Sequence, residues 1–260
     1  MIRGFNLTDV TGSTTDYPMN SIVQNSAYPI PSYGDGSYTI CWRYNDNSTG
    51  YRFKYTDSFG SIVTTSNIAF ASGSTNAIDN IKRIKCGFTD LSDEYSITNA
   101  DLTQNLTMQV MNGGTVLAEY IFQPVSCNGN EMYPVEFLNA WGVWDRFFFR
   151  GRKDDETEIT SDDYKFNKIN YVDMTYNVSD GSYHKYNVQG RDKITLQSDW
   201  LMQEHNRKMK ELLLSEKVII GDYPFIITNT SERFKTIRYD KKIEYTLELK
   251  YAADTINNIK

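Results

Sequence analysis

One segment constrains the fold of this chain more than any other. Over residues 194–251 the pattern passes from strand to a single amphipathic helix and back to strands. Leu201, His205, Met209, Leu212 and Leu213 fall on one helical face, and Glu204, Arg207, Lys208, Lys210 and Glu211 fill the other. Ser198 or Asp199 offers an N-cap, because its side-chain oxygen can accept from an open backbone N–H. This predicts one helix over about residues 199–214. A helix of about four turns is marginal on its own, so it must pack on the flanking sheet. Residues 217–220, 225–229, 233–238 and 243–251 then read as short antiparallel strands of a meander.

Elsewhere the period is two. Residues 37–44 (SYTICWRY) and 51–56 (YRFKYT) alternate around a polar turn and form a hairpin. Residues 61–69 and 78–88 read as further strands, although Ile78, Ile81 and Ile84 also permit a short helix. Residues 102–111 and 115–122 flank Asn112-Gly113-Gly114, where Asn and Gly tolerate the positive φ of a tight turn. Residues 134–139 and 143–150 bracket Ala140-Trp141-Gly142 and are apolar enough to be buried on both faces. The acidic run over 151–163 reads as an exposed loop. Residues 171–178 and 182–188 form a hairpin around Ser179-Asp180-Gly181. The fold class is therefore mostly β: antiparallel β-sandwich or barrel-like domains with one amphipathic α-helix.

The chain divides by charge. Residues 1–125 hold 7 Lys+Arg and 11 Asp+Glu, and residues 126–260 hold 20 and 22. This sets a boundary near Pro124, with residues 1–35 as an extended N-terminal arm, 36–124 as an antiparallel β domain and 125–260 as a second β domain with the helix. A net charge of -6 argues against a general nucleic-acid binder, which needs a basic face. Cys41, Cys86 and Cys127 are unclustered and match neither a disulfide framework nor a zinc site. No apolar run is long enough to span a bilayer, and MIRGFNLTDVTG has no apolar core of a secretory leader.

No constellation carries chemistry, so the residues assign no catalytic, cofactor or metal site. His205 lies on the apolar helix face. His184 sits between Tyr183 and Lys185 without an orienting carboxylate or a nucleophile at a useful spacing. The run Asp154, Asp155, Glu156, Glu158, Asp162 and Asp163 lacks the ligand spacing and central Gly of an EF-hand. Trp141, Trp144 and Trp200 could stack on sugar rings, but their apolar surroundings favour core packing. Lys82, Arg83 and Lys85, and separately Arg150, Arg152 and Lys153, are small basic clusters that read as solvated faces or intersubunit partners.

The second half carries a resemblance. WGVWDRFFF, a Tyr-rich hairpin, KITLQSDWL, a helix ending LLLSEKVII, YPFIITNTSERFKT and KKIEYTLELKYA follow in that order over about residues 133–257. This series resembles neck or tail virion structural proteins (ring, connector or tail-associated subunits) of tailed phages that infect Bacteroidetes, including crAss-like phages. The resemblance covers roughly half the chain and transfers no active-site residue. It implies a non-enzymatic subunit of an oligomeric ring or connector, without cofactors, that works by self-assembly as part of a DNA conduit. The implied partners are copies of itself, neighbouring portal, neck or tail proteins, and genomic DNA passing without sequence-specific binding; no membrane is implied. The implied location is the virion, after assembly in the host cytoplasm. The alternative is a carbohydrate-binding β-sandwich module of a phage tail that recognises the host.

Overall fold

The structure is a computed structural model that describes residues 17–32, 36–43, 49–70, 81–125, 131–165, 172, 183–199, 201–229 and 243–253. The expected strand over 233–238, most of the segment 171–178, Trp200, Cys127 and the first sixteen residues lie outside them.

In chain order the strands are β1 (Tyr17–Pro18), β2 (Ala27–Pro31), β3 (Thr39–Arg43), β4 (Gly50–Thr56), β5 (Ile62–Thr64), β6 (Ile68–Ala69), β7 (Ile81–Lys85), β8 (Leu106–Asn112) and β9 (Thr115–Val125). They continue with β10 (Tyr133–Leu138), β11 (Trp144–Phe149), β12 (Lys153–Lys165), β13 (Tyr183–Gln197), β14 (Val218–Ile220), β15 (Tyr223–Ile227) and β16 (Thr246–Tyr251). The helices of the described residues are α1 (Phe88–Tyr95) and α2 (Asn206–Leu213), the latter preceded by a 3-10 turn over Gln203–His205. The fold is mostly β, the pairings among the described residues are antiparallel with one exception, and the sheets pack in a sandwich-like way.

The first half holds a three-stranded sheet, β1-β3-β7, and a six-stranded sheet, β2-β9-β8-β4-β5, with β6 also on β4. Ile40, Trp42 and Ile84 from the first sheet meet Phe53, Met108, Val110, Tyr120 and Phe122 from the second in one core. The Asn112-Gly113-Gly114 turn joins β8 to β9 as expected, with Gly113 at φ +55°. Residues 17–32 depart from a free arm. β2 lies parallel to β9, the exception to the antiparallel rule, and Tyr28 and Ile30 are buried in the core. Alternating Tyr28 and Ile30 carry the apolar face that draws this segment in, and each proline stands on an edge strand, where a missing N–H is tolerated.

The second half builds one seven-stranded sheet, β11-β10-β14-β15-β16-β13-β12. Val135, Phe137, Phe147, Phe149, Leu196, Val218, Leu247 and Leu249 point from it into a second core, closed by Leu201, Met209 and Leu212. The β10–β11 hairpin is present: β11 is buried on both faces at Phe147–Phe149 as expected, whereas β10 alternates and the turn end at Trp144 is exposed. The acidic segment expected as a loop is strand β12, and its partner is β13. Residues 183–186 therefore pair with 162–165; the hairpin expected from 171–178 lies outside the described residues apart from Val172.

Two helix expectations are also corrected. The second helix starts at Asn206, not near Ser198 or Asp199. Ser198 Oγ instead accepts from the Tyr245 N–H at 2.9 Å, and Asp199 takes a left-handed φ of +59°. Leu201 bridges to Ile243 before the helix begins. Residues 78–88 do not form one strand: β7 ends at Lys85 and α1 follows. Asp90 builds its start, accepting from the Gly87 N–H at 2.7 Å and the Tyr38 N–H at 3.1 Å.

Candidate functional site

The molecule presents a basic cleft, an acidic ribbon and a buried polar junction that fixes one relative to the other. The cleft, of about 670 Å³, opens over the outer face of β3 and β7. Lys82, Arg83 and Lys85 line it beside Tyr51 and Tyr95, and the β10–β11 turn supplies Trp141, Val143 and Trp144. Asn139 shapes that turn: its Oδ1 accepts from the Trp141 N–H at 3.0 Å and the Val143 N–H at 3.1 Å, and its Nδ2 donates to the Met19 carbonyl at 2.8 Å. Gly142, at φ +74°, lets the chain reverse there.

Two candidate groups from different halves of the sequence thus meet in one place. Trp141 and Trp144 are not core residues. Trp141 is half-buried and Trp144 is 42% exposed, because the hairpin end runs past the second core. Lys85 is ion-paired to Glu94, while Arg83 is exposed and Lys82 half-buried. The second basic cluster is neutralised within the chain: Arg150 pairs with Asp199 at 3.6 Å, Arg152 with Asp154 at 2.6 Å and Lys153 with Asp155 at 2.9 Å.

The ribbon is the outer part of β12 and β13. Only Lys193–Gln197 of β13 pair with β16. Among the described residues, the ten residues 183–192 pair only with 157–165 of β12, and the two strands continue for roughly 30 Å. A bulge between Thr160 and Asp162 bends them, with Asn187 at φ +50° and its Nδ2 donating to Asp162 at 3.1 Å. Ile159, Tyr164, Tyr183 and Tyr186 are exposed here, and His184 stacks at 5.6 Å from Tyr164. β12 carries six carboxylates against two lysines. The acidic run is exposed as expected, but on a strand whose outer edge pairs with no described strand.

The junction was not legible as a site. Lys208, expected on the solvated helix face, is fully buried and pairs with Asp145 at 2.8 Å. Its ammonium donates to Tyr38 Oη at 2.6 Å and lies 4.1 Å above the Tyr28 ring. Tyr38 Oη donates to Asp145 at 3.0 Å, and the Ser21 N–H donates to the same carboxylate at 3.1 Å. Glu211, also buried, accepts from Ser21 Oγ. Burial holds the Lys208 ammonium below the usual lysine value, against the opposing pull of Asp145. Burial also lifts the Tyr28 and Tyr38 hydroxyls well above the usual tyrosine range. The two hydroxyls therefore stay protonated, and the groups of the junction satisfy one another, which is the behaviour of a structural network.

His205 borders this network. It is buried, edge-on to Tyr28 at 5.3 Å, and burial together with Lys208 pushes its pKa down to about 4. Burial also pushes the Cys41 and Cys86 thiols up, so neither is a ready nucleophile. Among the described residues no three His, Cys, Asp or Glu side chains are grouped to hold a metal ion. No helix of the described residues is long and apolar enough to cross a membrane. No family model, curated protein or solved structure matches the chain.

Proposed function

We propose that this chain is a virion structural protein, a subunit of an oligomeric ring or connector in the neck or tail of a tailed bacteriophage. It works by self-assembly and forms part of a DNA conduit, beside portal, neck or tail proteins. The observation that carries this reading is the projecting β12–β13 ribbon. Two strands without a supporting layer are marginally stable in water. A long unpaired edge is a template for pairing with another chain. Exposed tyrosines at its end are of the type that anchors protein interfaces. Such a ribbon gains its support from a neighbour. Light scattering and negative-stain imaging of the purified protein test this. Closed rings or larger assemblies are the expected result, and a chain that stays monomeric in both measurements overturns it.

Half-open Trp144 beside Trp141 favours a second reading, a carbohydrate-binding module of a phage tail. Aromatic faces in a cleft stack on sugar rings. Glycan-array binding that disappears in Trp144→Ala, with an unchanged melting temperature, would establish it over the ring subunit.

A further inference from the structure

We infer that the acidic ribbon of one copy seats in the basic, tryptophan-flanked cleft of the next, joining copies head to tail. This rests on the ring reading and names its contact. Charge is the first argument. β12 holds six carboxylates against two lysines, whereas β7, at the base of the cleft, holds Lys82, Arg83 and Lys85 and no acid. Glu94 occupies Lys85, which leaves Lys82 and the exposed Arg83 to face an incoming acidic strand. On the ribbon, Asp154, Asp155 and Glu158 are engaged by Arg152, Lys153 and Lys250, so Glu156 and, near the end, Asp162 and Asp163 are the exposed carboxylates, Asp162 bonded, among the described residues, only by the neutral Asn187 amide.

Topology is the second argument. β11 and β12 are the two opposite edges of the seven-stranded sheet, six strand spacings or roughly 29 Å apart. The cleft is built at the β11 edge by Trp141 and Trp144, and the ribbon leaves from the β12 edge. No residue of β12 or β13 lines the cleft of its own chain, yet every copy presents both surfaces. Contact between different patches is heterologous, and it closes into a ring when the rotation per subunit divides a full turn.

The same charges act against the competing arrangement. Two ribbons side by side would set one acidic edge against another, and like charges directly opposite are destabilising. The tyrosines at the ribbon end add apolar area next to Trp144, so the contact has an anchor as well as complementary charge.

The test uses the full chain in two charge-reversed forms, K82E/R83E in the cleft and D162K/D163N in the ribbon, followed by light scattering at low salt. Each form alone should raise the apparent dissociation constant of assembly by roughly ten-fold or more, as expected for losing close interfacial charge pairs. An equimolar mixture should restore assembly, because each copy then meets only a complementary neighbour. Near-UV circular dichroism reports folding, and if a reversed form fails it, Arg83→Gln and Asp163→Asn with a salt titration replace the pair. Variants that assemble like the parent, or a mixture that stays apart, overturn the docking and leave the ring reading standing. A parent chain that stays at the single-chain mass of 30.0 kDa overturns both.

Discussion

Lys208 shows why single residues in this protein resist reading from sequence. Helical spacing sets it beside Arg207 and Lys210 on a polar face, but that face is covered by the first-half sheet through Tyr28 and Tyr38. Sequence spacing finds the arc that one partner buries and cannot see a second partner on the same helix. Asp145 was closer to legible: it takes the inward position of an alternating run with Phe147 and Phe149, where a lone carboxylate demands a partner. Removing one member of such a pair leaves a buried charge, so Lys208→Met should lower stability by roughly 3–5 kcal/mol in urea unfolding. Adding Asp145→Asn should recover part of that loss, since the amide oxygen still accepts from Tyr38 while the charge is gone; a further drop would sink the account. His205 yields a pH prediction. Its folded pKa of about 4 lies below the unfolded value of about 6.5, so the unfolded chain binds its proton first. The contribution is complete above about pH 6.5 and is lost as pH falls towards 4, amounting to about 3 kcal/mol. The difference in stability between the parent and His205→Gln should therefore narrow over that window, and a difference independent of pH would refute it.

At the scale of elements, turns and hairpins were the legible part. Asn112-Gly113-Gly114 and Asn139 through Gly142 specify their reversals by local chemistry alone, and the β8–β9 and β10–β11 hairpins follow. Elements that depend on distant partners were not legible. β12 has no apolar alternation because both faces of its outer part are exposed among the described residues, so a strand with this composition reads as a loop. The start of α2 moved because Ser198 serves the Tyr245 backbone and not the helix. α1 was hidden because its start is made by contacts across the fold. Asp90 accepts from Ser37 Oγ at 2.8 Å as well as from Tyr38 and Gly87. A Cβ at Gly87 would collide with backbone atoms of Gly36, Ser37 and Tyr38. Gly87→Ala should then push α1 off β3 and destabilise the protein by about 3 kcal/mol or more, the range of core overpacking and backbone strain. Asp90→Ala should act by stranding buried N–H donors, at about 1–3 kcal/mol. Thermal melts of both variants check the pair; a neutral Gly87→Ala would show that the approach of α1 to β3 relaxes freely.

Across the whole molecule, the charge break near Pro124 coincides with a change of core, but the two cores are not independent bodies. β11 serves both: Phe147 and Phe149 enter the second, while Phe148 enters the first. Tyr28 Oη donates to the Arg146 carbonyl at 3.0 Å, and the Arg146 guanidinium donates to the Ser37 carbonyl at 3.1 Å. With the bonds from Lys208 and Asp145 to Tyr38 and the Asn139–Met19 contact, these bonds tie one half to the other. Unfolding either half would strip buried polar groups and a phenylalanine from its neighbour, so the halves should melt together. Calorimetry of the parent should give one transition with matching calorimetric and van't Hoff enthalpies. Phe148→Ala combined with Lys208→Met removes the apolar plug and the ammonium that holds Tyr38 and Tyr28 at once, and should split that peak in two. Two transitions in the parent would mean that the cores fold separately. The ribbon and the cleft would then not be held at a fixed separation, and a closed ring requires the same rotation at every contact.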